Sequence, residues 1–260
     1  MHQSNKTIVV DFHGVSFGYG PIKVLEKACF HIHEGEFVAF VGQNGSGKTT
    51  VLKLLLGLLK PAAGKITIGG KTFSNKFAIG YVPQNVPAAF DFPITVADVV
   101  KEGRLRGLSR KYTQDDEAIV EKALHICSLS ELARRQYGML SGGQRRRVLV
   151  ARALAAINVA DNNNASLLIL DEPAANLDKQ SETQLYDILT RLKGRCTILI
   201  VTHSMSYVSN KTDRVLCLGE EGYRYSIVEH QTEEAEETDK FHVLHKISFS
   251  AEECDAGEAG

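Results

Sequence analysis

The residues with the clearest chemical potential are GQNGSGKTT, residues 42–50, which follow a short apolar segment and precede a leucine-rich one. They match the pattern G-x-x-x-x-G-K-[ST], whose glycines let consecutive backbone N–H groups curl around phosphate oxygens at a helix N-terminus. In such a loop Lys48 reaches the β- and γ-phosphates, and the hydroxyl of Thr49 is available to Mg²⁺. The alternative is a glycine turn that merely starts a helix, but the flanking patterns favour a phosphate-binding loop. Its candidate residues are Gly42, Asn44, Gly45, Ser46, Gly47, Lys48, Thr49 and Thr50.

Further polar residues follow apolar segments later in the chain. LLILDEP, residues 167–173, predicts a buried strand that ends in Asp171 and Glu172. Asp171 could hold Mg²⁺, and Glu172 could act on a nucleophilic water. Gln84 follows IGYVP and His203 follows TILIVT, and ligands of open α/β sheets bind at such strand ends. Each residue alone also fits an ordinary polar strand end, so the prediction of a site depends on their combination.

The stretch LSGGQ, residues 140–144, provides a second glycine-rich helix start. Ser141 and Gln144 fit the capping box S-x-x-Q, so these residues can simply begin a helix. The cap does not require Gly142 or Gly143, since glycine costs about 1 kcal/mol relative to alanine at a helical position. Bare backbone at this helix start therefore predicts the close approach of another molecule.

The apolar patterns around these motifs predict an α/β fold. Short segments bounded by glycine predict strands in the first third, including residues 7–12, 37–41 and 65–68. The leucine-rich run 48–59 is apolar on nearly all sides and predicts a helix in the centre of a core. The last third alternates strand, helix and strand, which implies a parallel sheet with crossover helices.

The middle and the end of the chain differ in character from these segments. Thr113 and Asp116 provide a T-x-x-D helix start within a region that predicts a helical insert over residues 85 to about 155. From Glu229 the chain becomes acidic and glutamate-rich, which predicts a poorly packed tail over residues 229–260.

Charge and hydropathy limit the class of protein. The net charge is −1, from 30 basic and 31 acidic side chains, so no overall field favours nucleic acid or anionic lipid. The run Arg145, Arg146, Arg147 could contact nucleic acid, but on a helix it is expected to form a solvated or ion-paired face. The apolar runs are far shorter than the roughly 20 residues that a membrane-spanning helix needs. We expect a soluble chain that can associate with a membrane protein but binds no nucleic acid.

Taken together, the motifs resemble those of the nucleotide-binding subunits of ATP-binding-cassette (ABC) transporters. The phosphate loop resembles the Walker A motif, residues 140–144 the signature motif, and residues 167–172 the Walker B motif. Gln84 resembles the Q-loop residue and His203 the H-loop residue. The resemblance covers residues 7–228 in the family's order and implies a single ABC ATPase domain. It further implies a P-loop NTPase core with an antiparallel β subdomain and an inserted α-helical subdomain.

The resemblance implies catalytic roles for residues at the ends of the predicted strands. Glu172 would be the general base, Gln84 would sense Mg²⁺ and the attacking water, and His203 would contact the γ-phosphate. Thr49, Gln84 and Asp171 would hold Mg²⁺. The implied cofactors are therefore ATP and Mg²⁺.

It also implies how the second glycine-rich helix start is used. In the family, two subunits pair head to tail, and the signature motif of one covers the ATP bound by the other. Ser141 and the N–H groups of Gly142 and Gly143 would then meet the γ-phosphate of a second copy's ATP. Tyr19, in VSFGYG, resembles the aromatic residue that stacks on adenine, and Asp178 belongs to a segment that resembles the D-loop.

A subunit of this kind needs a membrane-spanning permease and, indirectly, a substrate-binding protein. The implied location is the cytoplasmic face of the inner or plasma membrane, with Phe90, Phe92 and Ile94 as permease contacts. Residues 91–104, DFPITVADVVKEGR, resemble the ATPase subunits of importers for zinc, manganese or iron. The ATPases of siderophore or cobalamin importers, an exporter subunit, and a soluble ABC ATPase outside transport remain as alternatives.

Overall fold

The computed structural model describes seven ranges of the chain. These are residues 7–70, 77–84, 93–105, 111–159, 166–203, 211–218 and 227–230. Within these ranges, no helix has the length and hydropathy that crossing a bilayer requires. The chain divides into two compact units, with boundaries after Phe77 and after Ile198, so that Ala78–Ile198 forms the second unit.

The described residues form strands and α-helices that follow the expected order of an α/β protein. The strands are β1 Ile8–Tyr19, β2 Ile22–His33, β3 Phe37–Gly42, β4 Ala63–Ile68, β5 Ala78–Val82, β6 Ser166–Asp171, β7 Thr197–Thr202, β8 Arg214–Leu218 and β9 Ile227–His230. The α-helices are α1 Lys48–Leu55, α2 Val96–Lys101, α3 Gln114–Ile126, α4 Gly142–Ile157 and α5 Lys179–Leu192.

The first unit contains an antiparallel sheet with the strand order β2-β1-β4. The hairpin between β1 and β2 closes where Tyr19 pairs with Ile22. The rings of Phe12 and Phe30 stack in its core, with 4.4 Å between centroids. In the same unit β3 pairs in parallel with β8, which pairs antiparallel with β9. The predicted antiparallel β subdomain is therefore present.

Helix α1 is shorter than the leucine pattern predicts. It ends at Leu55 rather than Leu59, because Gly57 takes a left-handed backbone with φ of 69°. The N–H of Leu58 then donates to the carbonyl of Lys53 at 2.8 Å, and that of Gly57 to Leu54 at 3.1 Å. These two bonds form a Schellman motif. It turns the chain so that Leu58 is 70% exposed, while the leucines within the helix are buried.

In the second unit, β5 and β6 pair in parallel, from Ala78 opposite Ser166 to Val82 opposite Leu170. Every residue of β6 is buried, as is typical of parallel strands that are covered on both faces. Parallel neighbours need a long crossover connection, and this one contains α2, α3 and α4. The carboxyl ends of β5 and β6 therefore lie side by side.

The predicted helix start at Thr113 is confirmed. The Thr113 side chain accepts a hydrogen bond from the N–H of Asp116, and the Asp116 carboxylate accepts one from the N–H of Thr113 at 3.0 Å. The predicted helix of the last third is present as α5, and its apolar residues are buried; these are Leu185, Ile188, Leu189 and Leu192. The helical insert over residues 85 to about 155 stays a prediction. Of the predicted tail, all residues beyond 230 lie outside the described part of the chain.

Asp116 also joins α3 to α4 through a buried ion pair. Its Oδ1 accepts a hydrogen bond from Nε of Arg104 at 2.8 Å, and Nη1 of Arg104 donates to the carbonyl of Ala155 at 2.9 Å. The hydrogen bond from Arg104, assisted by bonds from Thr113, lowers the pKa of Asp116 to about 2 although burial opposes the shift. The carboxylate therefore stays ionised at neutral pH.

We expect Asp116→Asn to lower the melting temperature at pH 7, because it leaves the buried Arg104 guanidinium without its counter-charge. The folded pKa of about 2 lies below the value of about 3.9 for an unfolded aspartate. Asp116 thus contributes stability that is fully present above about pH 4 and is lost as the pH falls towards 2. Thermal unfolding between pH 7 and pH 3 should show the wild type and the variant converging only in the acidic range.

Asp115→Asn is the matched control, since Asp115 is the exposed neighbour of Asp116 in the same helical turn. It should melt close to the wild type at every pH. Equal losses in the two variants would contradict a specific role for the buried pair.

Candidate functional site

The phosphate loop lies in the first unit, between the end of β3 at Gly42 and the start of α1 at Lys48. Strand β3 and helix α1 are largely buried, so both ends of the loop are fixed. Gly47 caps α1 in a left-handed conformation with φ of 106°. The Lys48 ammonium donates to the carbonyls of Gly42 and Gln43 at 2.6 and 3.0 Å, so its side chain folds back across the loop.

The loop has steric and polar properties that suit an oxyanion. A Cβ at Gly47 would lie 2.6 Å from Cγ1 of Val24, and a Cβ at Gly42 would lie 2.5 Å from Oγ of Ser46. Either contact would force the loop or the neighbouring side chain to shift. The hydroxyl of Ser46 is buried and has no hydrogen-bond partner among the described residues. An unsatisfied donor beside a helix N-terminus fits a bound phosphate group.

Two further predicted residues lie in the first unit. Tyr19 ends β1, is 47% exposed, and contacts the edge of Phe17 with 5.1 Å between ring centroids. The rest of its ring is open to stacking with an aromatic base. His203 directly follows β7 and is exposed.

Asp171 and Glu172 lie at the end of β6 in the second unit. Their exposed fractions are only 9% and 7%. Glu172 has φ of 43°, a conformation that costs a non-glycine residue roughly 1–3 kcal/mol and clusters at functional sites. The phenol of Tyr81 donates to Oδ2 of Asp171 at 3.5 Å, and burial together with this carboxylate raises the pKa of Tyr81. A buried acidic pair on a strained turn is suited to metal binding and proton transfer.

Gln84 is exposed just beyond β5, and its main chain is held by Arg146. Nη1 and Nη2 of Arg146 donate to the carbonyls of Pro83 and Gln84 at 2.8 and 2.9 Å. The expected solvated or ion-paired arginine face is therefore wrong for Arg146, which is 9% exposed and binds two backbone carbonyls. No local pattern predicts this contact, because its partners precede Arg146 by more than sixty residues.

The capping box predicted at the start of α4 is confirmed. The N–H of Ser141 donates to Oε1 of Gln144 at 3.0 Å, and the N–H of Gln144 donates to Oγ of Ser141 at 3.3 Å. The two glycines differ, however. Within the described residues, a Cβ on Gly142 would meet no atom within 4 Å, whereas a Cβ on Gly143 would lie 2.3 Å from Oγ of Ser181. Gly143 is thus required by packing inside this chain, while Gly142 leaves bare backbone at the exposed helix start.

Asp178 has a structural role that the sequence interpretation missed. It is the N-cap of α5, accepting hydrogen bonds from the N–H of Ser181 at 2.9 Å and from its hydroxyl at 2.7 Å. These bonds lower the pKa of Asp178. Because Ser181 also packs against Gly143, the start of α4 contacts the first turn of the helix that Asp178 caps. An acidic residue before a helical pattern is the signal that could have revealed the cap.

Of the predicted permease contacts, Phe90 and Phe92 lie outside the described residues, and Ile94 is partly buried. The carbonyl of Ile94 accepts a hydrogen bond from the N–H of Tyr137 at 2.9 Å.

The buried strand, glycine loop and helix of the first unit define a P-loop nucleotide-binding protein. Residues 25–175 match the family model described as ABC transporter. The chain belongs to this family, whose ATP-hydrolysing subunits work with membrane-spanning permease subunits in transport. It is therefore an ATP-binding subunit that hydrolyses ATP to drive a transporter.

Individual relatives agree with this membership. The chain is 39% identical over 205 residues to a "Probable metal transport system ATP-binding protein" of Chlamydia muridarum, covering 77% of this chain and 84% of that protein. It is 36% identical over 223 residues to the "High-affinity zinc uptake system ATP-binding protein ZnuC" of Bacillus subtilis, covering 82% and 93%. A solved ABC transporter of the metal-chelate type, in an inward-facing conformation, matches with a TM-score of 0.74 and 29% identity over 87% of this chain and 84% of that one.

The different surroundings of the two signature glycines lead to opposite expectations for stability. Gly142→Ala should leave the melting temperature unchanged or slightly higher, since alanine favours a helix by about 0.5–1 kcal/mol and meets open space. Gly143→Ala should lower it, because overpacking against Ser181 costs about 1–3 kcal/mol. Thermal unfolding of the nucleotide-free chain measures both, and equal melting temperatures for the two variants would contradict the packing argument.

Proposed function

We propose that this chain is the ATPase subunit of an importer for a divalent metal ion, either zinc or manganese. The observation that carries the proposal is the match over most of the chain to ATP-binding proteins of metal transport systems, one of them for zinc. Residues 91–104 support it through their resemblance to the same group. The cargo need not touch this subunit, which supplies the energy. Siderophore or cobalamin import, export, and a function outside transport are the competing proposals.

In this proposal, the ATPase domain spans residues 7–228 and its phosphate loop binds the ATP phosphates. The buried hydroxyl of Ser46 and the backbone N–H groups at the start of α1 are suitable donors, and Lys48 adds positive charge. Tyr19 stacks on the adenine ring. The carbonyls of Gly42 and Gln43 each accept a hydrogen bond from the Lys48 ammonium, and bound phosphate oxygens would compete with them for it.

The proposed Mg²⁺ ligands are Thr49, Gln84 and Asp171. They offer a hydroxyl, an amide oxygen and a carboxylate, the hard oxygen donors that Mg²⁺ prefers, so the residue types fit the ion. When bound, Mg²⁺ neutralises charge on the phosphates during phosphoryl transfer. Asp171 is largely buried, which limits competition from water for its carboxylate.

Glu172 is the proposed general base, and Gln84 orients the water that attacks the γ-phosphate. The strained backbone at Glu172 holds its carboxylate on a short turn directly after β6, where its position is set by the buried strand. His203 contacts the γ-phosphate. Proton transfer from water to a positioned carboxylate is worth about 10²–10⁴-fold in rate.

A second copy completes each nucleotide site in this proposal. Ser141 and Gly142 are exposed at the start of α4, so their donors can bind the γ-phosphate of the other copy's ATP. Gly143, Gln144 and Asp178 are proposed as further contacts to that nucleotide. Gly143 and Gln144 also support this helix start, and Asp178 caps the helix against which Gly143 packs. Charge-assisted hydrogen bonds across the dimer would supply the closing force, and hydrolysis would remove the phosphate that both copies share.

The same proposal includes the partner proteins of the chain and its location in the cell. The permease contacts the chain through the segment that contains Phe90, Phe92 and Ile94, and a substrate-binding protein delivers the metal ion to the permease. The chain would then work at the cytoplasmic face of the inner or plasma membrane. The acidic tail, residues 229–260, is proposed to lie outside the ATPase domain.

We expect Glu172→Gln to bind ATP but to hydrolyse it about 10²-fold more slowly or worse, because the amide cannot accept the proton. The variant should accumulate as an ATP-bound dimer, measurable by phosphate release and size-exclusion chromatography. Adding Ser141→Arg should abolish the dimer while nucleotide binding to the monomer stays intact. Normal turnover by Glu172→Gln would remove the assignment of the general base.

Metal import can be tested in cells of the organism that produces this protein, after deletion of its gene. At limiting metal concentration they should take up less zinc or manganese, and the wild-type chain should restore uptake while Lys48→Ala does not. Uptake of cobalamin and ferric siderophores is the matched control and should be unchanged. A defect confined to these two substrates, or to export, would favour one of the competing proposals.

A further inference from the structure

Arg146 fixes the point at which the chain leaves β5 and continues into Gln84. Beyond Val82 the β5–β6 ladder ends, so the carbonyls of Pro83 and Gln84 need other hydrogen-bond partners. The two terminal nitrogens of one guanidinium supply them, at 2.8 and 2.9 Å. Both distances are those of well-formed N–H···O bonds.

The helix that carries Arg146 is itself fixed against β5. A Cβ on Gly80 would lie 2.6 Å from the carbonyl oxygen of Ala153, so the strand packs directly on the backbone of α4. Arg146 extends this rigid contact to the two residues that follow the strand. The start of α4 and the main chain at Gln84 are therefore held in one framework.

The choice of partners is informative. A buried guanidinium is usually stabilised best by a carboxylate. Arg146 instead donates two hydrogen bonds to consecutive neutral carbonyls. Burial lowers the pKa of Arg146, and the charges of Tyr137 and Asp171 oppose that effect. A planar fork that binds two successive peptide oxygens determines their position and orientation more tightly than a single donor would.

We propose that Arg146 is a positioning residue for Gln84, setting the main-chain position from which the Gln84 side chain reaches Mg²⁺ and the attacking water. This inference rests on the proposed function, in which Gln84 has that role. A shift of about 1 Å in a catalytic group can cost on the order of 10²-fold in rate. Loss of the two bonds should therefore slow hydrolysis without removing a group that touches ATP.

Arg147 provides a matched control on the next position of the same helix. Its Nη1 also donates to two consecutive carbonyls, those of Cys127 and Ser128, at 3.2 Å each. These residues lie at the end of α3 and have no role in the proposed catalysis. A purely structural effect of removing an arginine from α4 should thus be similar at both positions.

The test is a double-mutant cycle on the full-length chain. Two readouts are taken for the wild type, Arg146→Met, Gln84→Ala and the double variant. The first is steady-state ATPase activity with Mg²⁺ varied at saturating ATP, and the second is equilibrium binding of a fluorescent, non-hydrolysable ATP analogue with Mg²⁺ varied. Arg146→Met should reduce kcat on the order of 10-fold and raise the Mg²⁺ requirement, while KM for ATP stays within about 2-fold. The double variant should be no slower than Gln84→Ala alone, because Arg146 acts through Gln84.

Two further variants make the cycle decisive. Arg147→Met should retain kcat and the Mg²⁺ requirement of the wild type. Arg146→Lys keeps the charge and can still donate to a carbonyl, so it should recover part of the kcat that Arg146→Met loses. If Arg146→Met does not fold, Arg146→Lys takes its place in the cycle.

Independent, additive losses from Arg146 and Gln84, or equal losses in Arg146→Met and Arg147→Met, would overturn the positioning role and leave the proposed function intact. A normal kcat in Gln84→Ala would instead overturn the role of Gln84 itself, and this inference with it.

Discussion

A highly charged phosphate chain can be held by neutral backbone only where the polypeptide turns so tightly that several N–H groups converge. In this protein the turn lies between the buried strand β3 and helix α1, and the phosphate loop depends on these two elements for its position. A side chain at Gly47 would meet Val24, so the loop and the neighbouring strand β2 are shaped together. The hydrophobic core thereby fixes the positions of both ends of the loop.

In the second unit, buried structure likewise holds polar residues in place, here at the end of strand β6. Asp171 and Glu172 are largely buried, and the strained backbone at Glu172 is held by a strand that is buried along its whole length. The phenol of Tyr81 contacts Asp171, and Arg146 fixes the main chain that follows the adjoining strand β5. Polar groups of this kind remain functional only when their supports are rigid.

Sequence patterns predicted the features that depend on interactions between residues close together in the chain. The capping boxes at Thr113 and Ser141 are examples, since donor and acceptor are three residues apart. The leucine pattern misplaced the end of α1, because the left-handed turn at Gly57 outweighs the apolar residues that follow it. The packing of Gly143 on Ser181 and the hydrogen bonds from Arg146 to Pro83 and Gln84 could not be predicted, because each contact joins segments distant in sequence. The order of motifs along the chain gave the family, while the contacts that support the site required the structure.

The partners of Arg146 have one further consequence. Peptide carbonyls do not titrate, and a buried hydrogen bond is little affected by dissolved ions, so this connection should keep its strength across the pH and salt conditions of a living cell. An ion pair with a surface carboxylate would weaken in acid or in concentrated salt. The link between α4 and the end of β5 therefore stays the same when the pH or the salt concentration around the protein changes.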